Sequence, residues 1–170
     1  MAEEIVNKVA QSALVQIDLE DYYEEGARKS IDLKDWLYEG LILREKDFRE
    51  SVKSHDWEQY ENAFVSIHCS TDAIIPLWAS MVLTAALQPF AKRVVFGIQE
   101  ELEALLYEDA FAKVDFEAYA GKPMIIKGCS NKPVPVQAFV SFTQRAQPYV
   151  RSVMFGEACS TVPVYKMKRK

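Results

Sequence analysis

The sequence contains the same short pattern twice, about sixty residues apart. Residues 64–70 (Phe-Val-Ser-Ile-His-Cys-Ser) and 124–130 (Met-Ile-Ile-Lys-Gly-Cys-Ser) are both apolar runs closed by a Cys-Ser pair. Further identities follow at a constant offset of 59 residues: Pro76 and Pro135, Ala79 and Ala138, and Thr84 and Thr143. Because recurrence at a fixed offset is typical of duplicated structural units, we predict an internal repeat of residues 63–97 and 123–156.

Each repeat predicts two parallel strands joined by a helix, because parallel strands need a crossover connection of a dozen or more residues. Val15, Ile17 and Leu19 alternate with polar residues and predict an additional N-terminal strand. We therefore predict an α/β fold with a mainly parallel sheet, built from two repeated βαβ units plus an N-terminal strand and helices. At 170 residues the chain has a length suited to one domain, residues 1–170. The first crossover helix, between Ile74 and Leu87, is apolar on nearly every face, so we expect it to be buried on most sides.

Charge and composition exclude several classes of protein. The net charge is −5, and residues 1–62 hold 16 of the 25 acidic residues but only 8 of the 20 Lys and Arg residues. A nucleic-acid-binding protein would need a basic face that neutralises phosphates. The longest apolar run, residues 73–87, is shorter than the roughly 20 residues of a membrane-spanning helix. No secretory leader is recognisable, and three cysteines, an odd number, suit a reducing compartment. We predict a cytoplasmic protein whose partners include neither nucleic acid nor a membrane.

The three cysteines predict a metal site. Cys69 and Cys129 follow the first strand of their repeats, and Cys159 follows the last predicted strand. Because the carboxyl ends of parallel strands meet at one edge of a sheet, we expect the three sulfur atoms to lie together. The position of the first repeat that matches Cys159 is Glu100, and His68 directly precedes Cys69. Three thiolates with one further ligand can hold zinc or an iron–sulfur cluster. The predicted ligands are Cys69, Cys129, Cys159, Glu100 and His68.

Two other interpretations of the cysteines stay open. Cys129 lies between a glycine and a predicted helix start, where the helix dipole favours a thiolate, so the protein could be a thiol enzyme or a persulfide carrier with Cys129 as nucleophile. Alternatively it is an interaction module whose cysteines are purely structural, since free cysteine is commonly buried. The sequence specifies no substrate or reaction. An apolar content of 49% is also compatible with a homodimer.

Residues 70–76 (Ser-Thr-Asp-Ala-Ile-Ile-Pro), 127–130 (Lys-Gly-Cys-Ser) and 155–165 (Phe-Gly-Glu-Ala-Cys-Ser-Thr-Val-Pro-Val-Tyr) resemble segments of an uncharacterised bacterial family, domain of unknown function 2480. Residues 43–46 and the region around Trp57 look similar too, so the resemblance covers nearly the whole chain. The resemblance implies no established activity and no catalytic residues. Through the gene neighbourhoods of the family it implies iron–sulfur assembly proteins as partners, and a role in iron–sulfur or sulfur trafficking.

Overall fold

The computed structural model describes residues 13–128 and 131–168. The chain forms two compact units. One, here called the continuous unit, is a single stretch from Glu25 to Leu105. The other, the split unit, combines the described residues up to Glu24 with those from Leu106 onward. The continuous unit is therefore inserted into the sequence of the split unit.

The described residues contain seven strands and four α-helices. In chain order these are β1 (Val15–Asp18), β2 (Arg28–Asp32), α1 (Glu45–Ser54), β3 (Phe64–His68), α2 (Leu77–Leu87), β4 (Arg93–Phe96), α3 (Gln99–Phe111), β5 (Pro123–Lys127), α4 (Val136–Ala146), β6 (Ser152–Glu157) and β7 (Ser160–Lys166). The predicted N-terminal strand is confirmed as β1. Among the described helices, none has the length and apolar character needed to cross a membrane.

The strands form two sheets, one in each unit. In the continuous unit the order is β2-β3-β4 and all strands are parallel. In the split unit the order is β1-β5-β6-β7; the first three strands are parallel and β7 is antiparallel. The α/β class is confirmed, but the single, mainly parallel sheet is confirmed only in part, because there are two sheets and one of them is mixed. The apolar pattern of a buried strand is the same whichever sheet it joins, so the sequence could not distinguish these arrangements.

The two predicted repeats share their local geometry. β3-α2-β4 and β5-α4-β6 each consist of two neighbouring parallel strands joined by a helix. Asn62 and Gly121, 59 residues apart, both adopt positive φ, 56° and 69°, a region that asparagine and glycine tolerate best. Each donates its backbone N–H to a matching carbonyl, Phe90 O at 2.8 Å and Tyr149 O at 2.9 Å. The same turn therefore introduces the first strand of both repeats.

Each unit has its own hydrophobic core, on the face of the sheet that its helices cover. In the continuous unit, Val65 and Ile67 of β3 pack with Leu83 of α2 and Phe48 of α1. Further core residues there are Ile31, Leu33, Tyr60, Ala63, Ala79 and Leu87. The core of the split unit consists of Ile17, Leu19, Tyr107, Phe111, Met124, Ile126, Ala138, Phe142, Ala146, Val150 and Val153. Burial of these side chains at about 25 cal/mol per Å² is the main stabilising contribution in each unit.

Two predictions about α2 are wrong. The helix begins at Leu77, not near Ile74, because Pro76 is extended (ψ 137°) and restricts the residue before it to non-helical backbone. The helix is also not buried on most sides: Leu77 is 85% exposed and Met81 is 69% exposed. The reason is that α2 lies over the edge strand β4. No described element of the continuous unit extends the sheet beyond β4, so nothing there covers the outer side of the helix.

The sequence around the third cysteine forms a strand that the repeat does not predict. β7 pairs with β6, and the register shifts between Val153 and Met154 as in a β-bulge. Pro163 lies within β7 and cannot donate a hydrogen bond to a further strand. A proline inside a strand is tolerated here because β7 is the last strand of its sheet.

Candidate functional site

The structure places the two described cysteines on different sheets. Cys69 follows β3 in the continuous unit, where it is half-buried against that unit's core with its Sγ 3.4 Å from Thr71 Oγ1. Cys159 is exposed in the turn between β6 and β7 of the split unit. Cys129 lies outside the described residues. Cys69 and Cys159 therefore do not share the sheet on which the predicted meeting of the three sulfur atoms depended.

The other two predicted ligands also lie in the continuous unit. His68 ends β3; its Nδ1 is 3.1 Å from Ser30 Oγ and its Nε2 is 3.8 Å from Asp32 Oδ2. Glu100 is exposed in the first turn of α3. The match between Glu100 and Cys159 fails locally, because the chain enters a helix after β4 but a hairpin turn after β6. Across residues 13–128 and 131–168, no three His, Cys, Asp or Glu side chains form a group that could hold a metal ion.

The structure reveals a second repeated motif, which the sequence analysis missed. Residues 17–22 (Ile-Asp-Leu-Glu-Asp-Tyr) and 31–36 (Ile-Asp-Leu-Lys-Asp-Trp) follow one pattern, 14 residues apart. In both, the aspartate ends an edge strand and its side chain accepts the backbone N–H two residues further on at 3.0 Å, which starts a 3₁₀ turn. Comparing the N-terminal segment with itself would have found this signal. It shows that each sheet begins with an equivalent strand, β1 or β2.

Each of these aspartates faces a basic side chain on the neighbouring strand. Asp32 lies beside His68, and Asp18 Oδ2 is 3.5 Å from Lys127 Nζ, which also contacts Glu157 at 3.3 Å. Burial raises the pKa of Asp32, but hydrogen bonds from Ser70 and Lys34, with His68 nearby, outweigh it and lower the pKa overall. Glu157, and secondarily Asp18, raise the pKa of Lys127. In each sheet a carboxylate at the end of one strand thus lies beside a basic side chain at the end of the next strand.

The split unit contains an apolar groove of about 940 Å³ between α4 and the strands β6 and β7. It forms because β7 widens the sheet beyond the part that α4 covers. Val136 and Val140 of α4 form one wall; Val136 is 74% exposed. The other lining residues are Ile126, Phe139, Thr143, Gln144, Gln147, Pro148, Val153, Met154, Phe155, Val164, Tyr165 and Met167. We call this feature the apolar groove.

A second cavity, of about 870 Å³, adjoins the apolar groove. The two share three lining residues, Met154, Tyr165 and Met167. The second cavity is basic, because Arg151, Lys166 and Lys168 line it. The apolar groove therefore continues into a positively charged surface at one end.

The continuous unit exposes apolar side chains at the matching positions. Leu77, Met81 and Phe96 are the counterparts, at an offset of 59 residues, of Val136, Val140 and Phe155. All three are more exposed than 60%. The continuous unit has no counterpart of β7 among its described residues, so these side chains lie beside the free edge of β4. We call this surface the β4 face.

Comparison with known protein families identifies the chain. A family model described as "Protein of unknown function (DUF2480)" matches residues 3–167. The chain belongs to this family. The match confirms the resemblance seen in the sequence, including its extent over nearly the whole chain. No curated protein matches the chain, and neither does any solved structure. The description of the family carries no activity, so a functional proposal has to start from the geometry.

Proposed function

We propose that this protein is a binding module that takes an amphipathic, acidic helix of a partner protein in the apolar groove. The observation that supports this proposal is the groove itself, about 940 Å³ of apolar-lined space open to water in the split unit. Large exposed apolar surfaces are uncommon on soluble proteins unless another molecule covers them. This is the interaction-module interpretation of the sequence, with structural cysteines.

The form of the groove favours a macromolecular segment over a small molecule. A small-molecule site usually buries about 70–90% of its ligand. The wall residues Val136, Val140 and Val164 are themselves mostly exposed, so a small ligand would leave much of its own surface in water. A longer segment lying along the groove would cover these residues and its own apolar face together.

Within that class, a helix suits the groove better than a strand. An added strand would pair with the free edge of β7, where Pro163 lacks an N–H and the bulge near Met154 distorts the ladder. The wall formed by α4 has 11 residues, about 16 Å at 1.5 Å per residue. This length matches three turns of a partner helix with apolar anchors at i, i+4 and i+7.

The charge at the end of the groove favours an acidic partner. Arg151, Lys166 and Lys168 line the adjoining cavity, so acidic residues at one end of the bound helix would meet opposite charge. Such pairs mainly increase the association rate and the specificity, and they weaken with added salt.

The cysteine-based functions stay predictions. A zinc or iron–sulfur site of Cys69, Cys129 and Cys159, a reactive Cys129, and partners in iron–sulfur assembly gain no support from the placement of Cys69 and Cys159. We therefore place binding through the apolar groove ahead of them.

A peptide-display selection on the full-length protein tests the proposal. Random peptides are selected on the wild type, with counter-selection on Val140→Lys, which puts a charge into the groove wall. We expect recovered peptides to carry apolar residues at i, i+4 and i+7 and an excess of Asp and Glu. Purified peptides should bind Val140→Lys at least about tenfold more weakly, equivalent to 1.4 kcal/mol or more.

Met81→Lys is the matched control, because Met81 occupies the equivalent helix position in the continuous unit. Its affinity for the selected peptides should equal that of the wild type. The groove would be ruled out as the proposed site if the recovered peptides bound Val140→Lys and Met81→Lys with equal affinity. It would also be ruled out if the peptides lacked the apolar spacing and the acidic character.

A further inference from the structure

Each sheet has two edge strands: β1 and β2 form one edge of their sheets, and the opposite edges differ in how they are protected against further pairing. In the split unit that opposite edge belongs to β7, which carries Pro163, a neighbouring bulge and the terminal Lys166. Proline, bulges and lysine are the usual means by which proteins prevent strand addition. In the continuous unit that opposite edge belongs to β4, with the sequence Arg-Val-Val-Phe. β4 is short and begins with a charged residue, but it has neither a proline nor a register shift, so its regular ladder can accept another strand.

The helix beside β4 is equally uncovered. α2 is apolar on nearly every face, and the hydroxyls of Ser80 and Thr84 donate to carbonyls of the helix itself, a composition typical of a helix that is covered on most sides. Its outward side carries Leu77 and Met81, one helical turn apart, and Phe96 of β4 continues the same surface. In the split unit, the corresponding strand β6 is paired by β7. The repeat thus indicates what is lacking at the β4 face: an antiparallel strand with apolar side chains.

The charges at the two ends of β4 show which strand would fit. Lys92 precedes β4, and Glu100 follows it in the first turn of α3; both are exposed. A second β4 running antiparallel would bring the basic end of one copy to the acidic end of the other. A parallel partner would bring like charges together.

We propose that two copies of this chain form a two-fold dimer in which their β4 strands pair antiparallel. In the register centred on Val95, Phe96 lies opposite Val94 of the second copy, and the side chains of both residues point to the face covered by α2. A two-fold axis perpendicular to the sheet places both α2 helices on that face, with Leu77 and Met81 of each copy toward the other. The two three-stranded sheets become one six-stranded sheet. Such an interface is isologous, the kind found in most homodimers.

The proposed dimer uses β4 and α2, neither of which lines the apolar groove, so it does not require the partner proposed for that groove. Sedimentation equilibrium on the full-length protein tests it, because the chain mass is 19.4 kDa and a dimer has twice that mass. We expect the wild type to sediment as a dimer. Met81→Lys places like charges on facing helices and should raise the dimer dissociation constant at least about tenfold. Val140→Lys, the matched change in the split unit, should leave it unaltered.

A charge exchange tests the antiparallel direction. Lys92→Glu should weaken the dimer, because it puts two acidic ends together, and the double variant Lys92→Glu with Glu100→Lys should restore it. Circular dichroism of each variant checks that the fold is kept. A wild type that stays monomeric up to its solubility limit would overturn the proposal. So would a dimer that Val140→Lys weakens as much as Met81→Lys, or a double variant that is no tighter than Lys92→Glu alone.

Discussion

The split unit and the continuous unit share a strand–helix–strand core but finish the sheet differently. After β6 the chain turns back as β7 and adds a strand, and a groove opens between that strand and α4. After β4 the chain instead enters α3, and the matching apolar side chains lie beside an unpaired edge. The duplicated core therefore determines the fold, whereas the segment that follows its last strand determines the surface offered to a partner.

The helices α2 and α4, which join the parallel strands, also differ in the polarity of their outer sides. α4 carries Gln144 and Arg145 where α2 carries Ala85 and Ala86. A polar outer side suits a helix whose neighbouring groove is filled only when a partner is bound. An apolar outer side suits a helix that remains covered in the assembled protein, as in obligate interfaces.

The largest effect on stability is expected from the ion pair of Arg28 and Glu103 in the continuous unit. Their side chains are only 9% and 8% exposed, with Arg28 Nε 2.8 Å from Glu103 Oε1. Glu103→Ala leaves the guanidinium buried without this carboxylate and should lower the free energy of unfolding by about 3–5 kcal/mol. Urea denaturation gives the value.

The control for this prediction is Glu108→Ala in the split unit. Glu108 pairs with Arg145 across 2.6 Å, but these side chains are 28% and 38% exposed. Water therefore screens the pair, and we expect a loss of about 1 kcal/mol. Similar losses for the two variants would contradict the assignment of a buried pair to the continuous unit alone.

A smaller loss of stability is expected from changing the two equivalent glycines at the ends of β4 and β6. Gly156 and Gly97 are equivalent and both have positive φ, 117° and 147°. A Cβ on Gly156 would lie 2.6 Å from the backbone oxygen of Ser160, which the β6–β7 turn holds in place, whereas one on Gly97 would meet Cβ of Glu101 at 2.9 Å. Gly156→Ala should therefore cost about 3 kcal/mol, the upper part of the range for a strained position, and Gly97→Ala about 1–2 kcal/mol. Thermal unfolding ranks the two variants, and the reverse order would show that the β6–β7 turn is not rigid.

The aspartate Asp32 should give a modest, pH-dependent effect. Asp32→Asn keeps a cap on the following 3₁₀ turn but removes the charge that Ser70, Lys34 and His68 stabilise. Because the pKa of Asp32 is lower in the folded state, its contribution is present above the ordinary value of 3.8 and is lost as the pH falls through the folded value. Urea titrations from pH 7 downward should show the wild type more stable near neutral pH, with the difference vanishing in acid. A constant difference down to the lowest pH would refute this cause.

The smallest effect is expected at Cys159. The side chain is exposed in the β6–β7 turn, so Cys159→Ser should change the free energy of unfolding by less than about 0.5 kcal/mol. Iodoacetamide should also label Cys159 before Cys69, which packs against a core. Metal analysis of protein purified without oxygen completes the comparison. Stoichiometric zinc or iron that disappears together with stability in Cys159→Ser would favour the three-cysteine site over the apolar groove.

The repeat made much of the fold predictable. Pro76 and Pro135, like Asn62 and Gly121, impose the same local backbone in both copies, and such constraints are visible in a sequence. Membership of a sheet is not visible, because Val65 and Met124 need only an apolar environment, which either sheet supplies. The apolar groove and the β4 face depend on whether a strand such as β7 is added to the sheet and on which apolar side chains stay exposed. Both are decided by tertiary packing, which local sequence patterns do not reveal. No strand is predicted after Gly156 from the sequence, and Pro163 is compatible with β7 only because β7 is an edge strand.

The insertion of one unit within the other has a consequence for how the protein is made. Val15 pairs with Met124, so β1 leaves the ribosome more than a hundred residues before its partner β5 exists. The continuous unit has all its strands within one stretch and can complete its sheet while translation is still under way. β1 must meanwhile stay unpaired, and closing so long a loop slows the final step. A nascent chain stopped soon after α3 would therefore contain a folded continuous unit and a β1 segment whose partner strand β5 has not yet been synthesised.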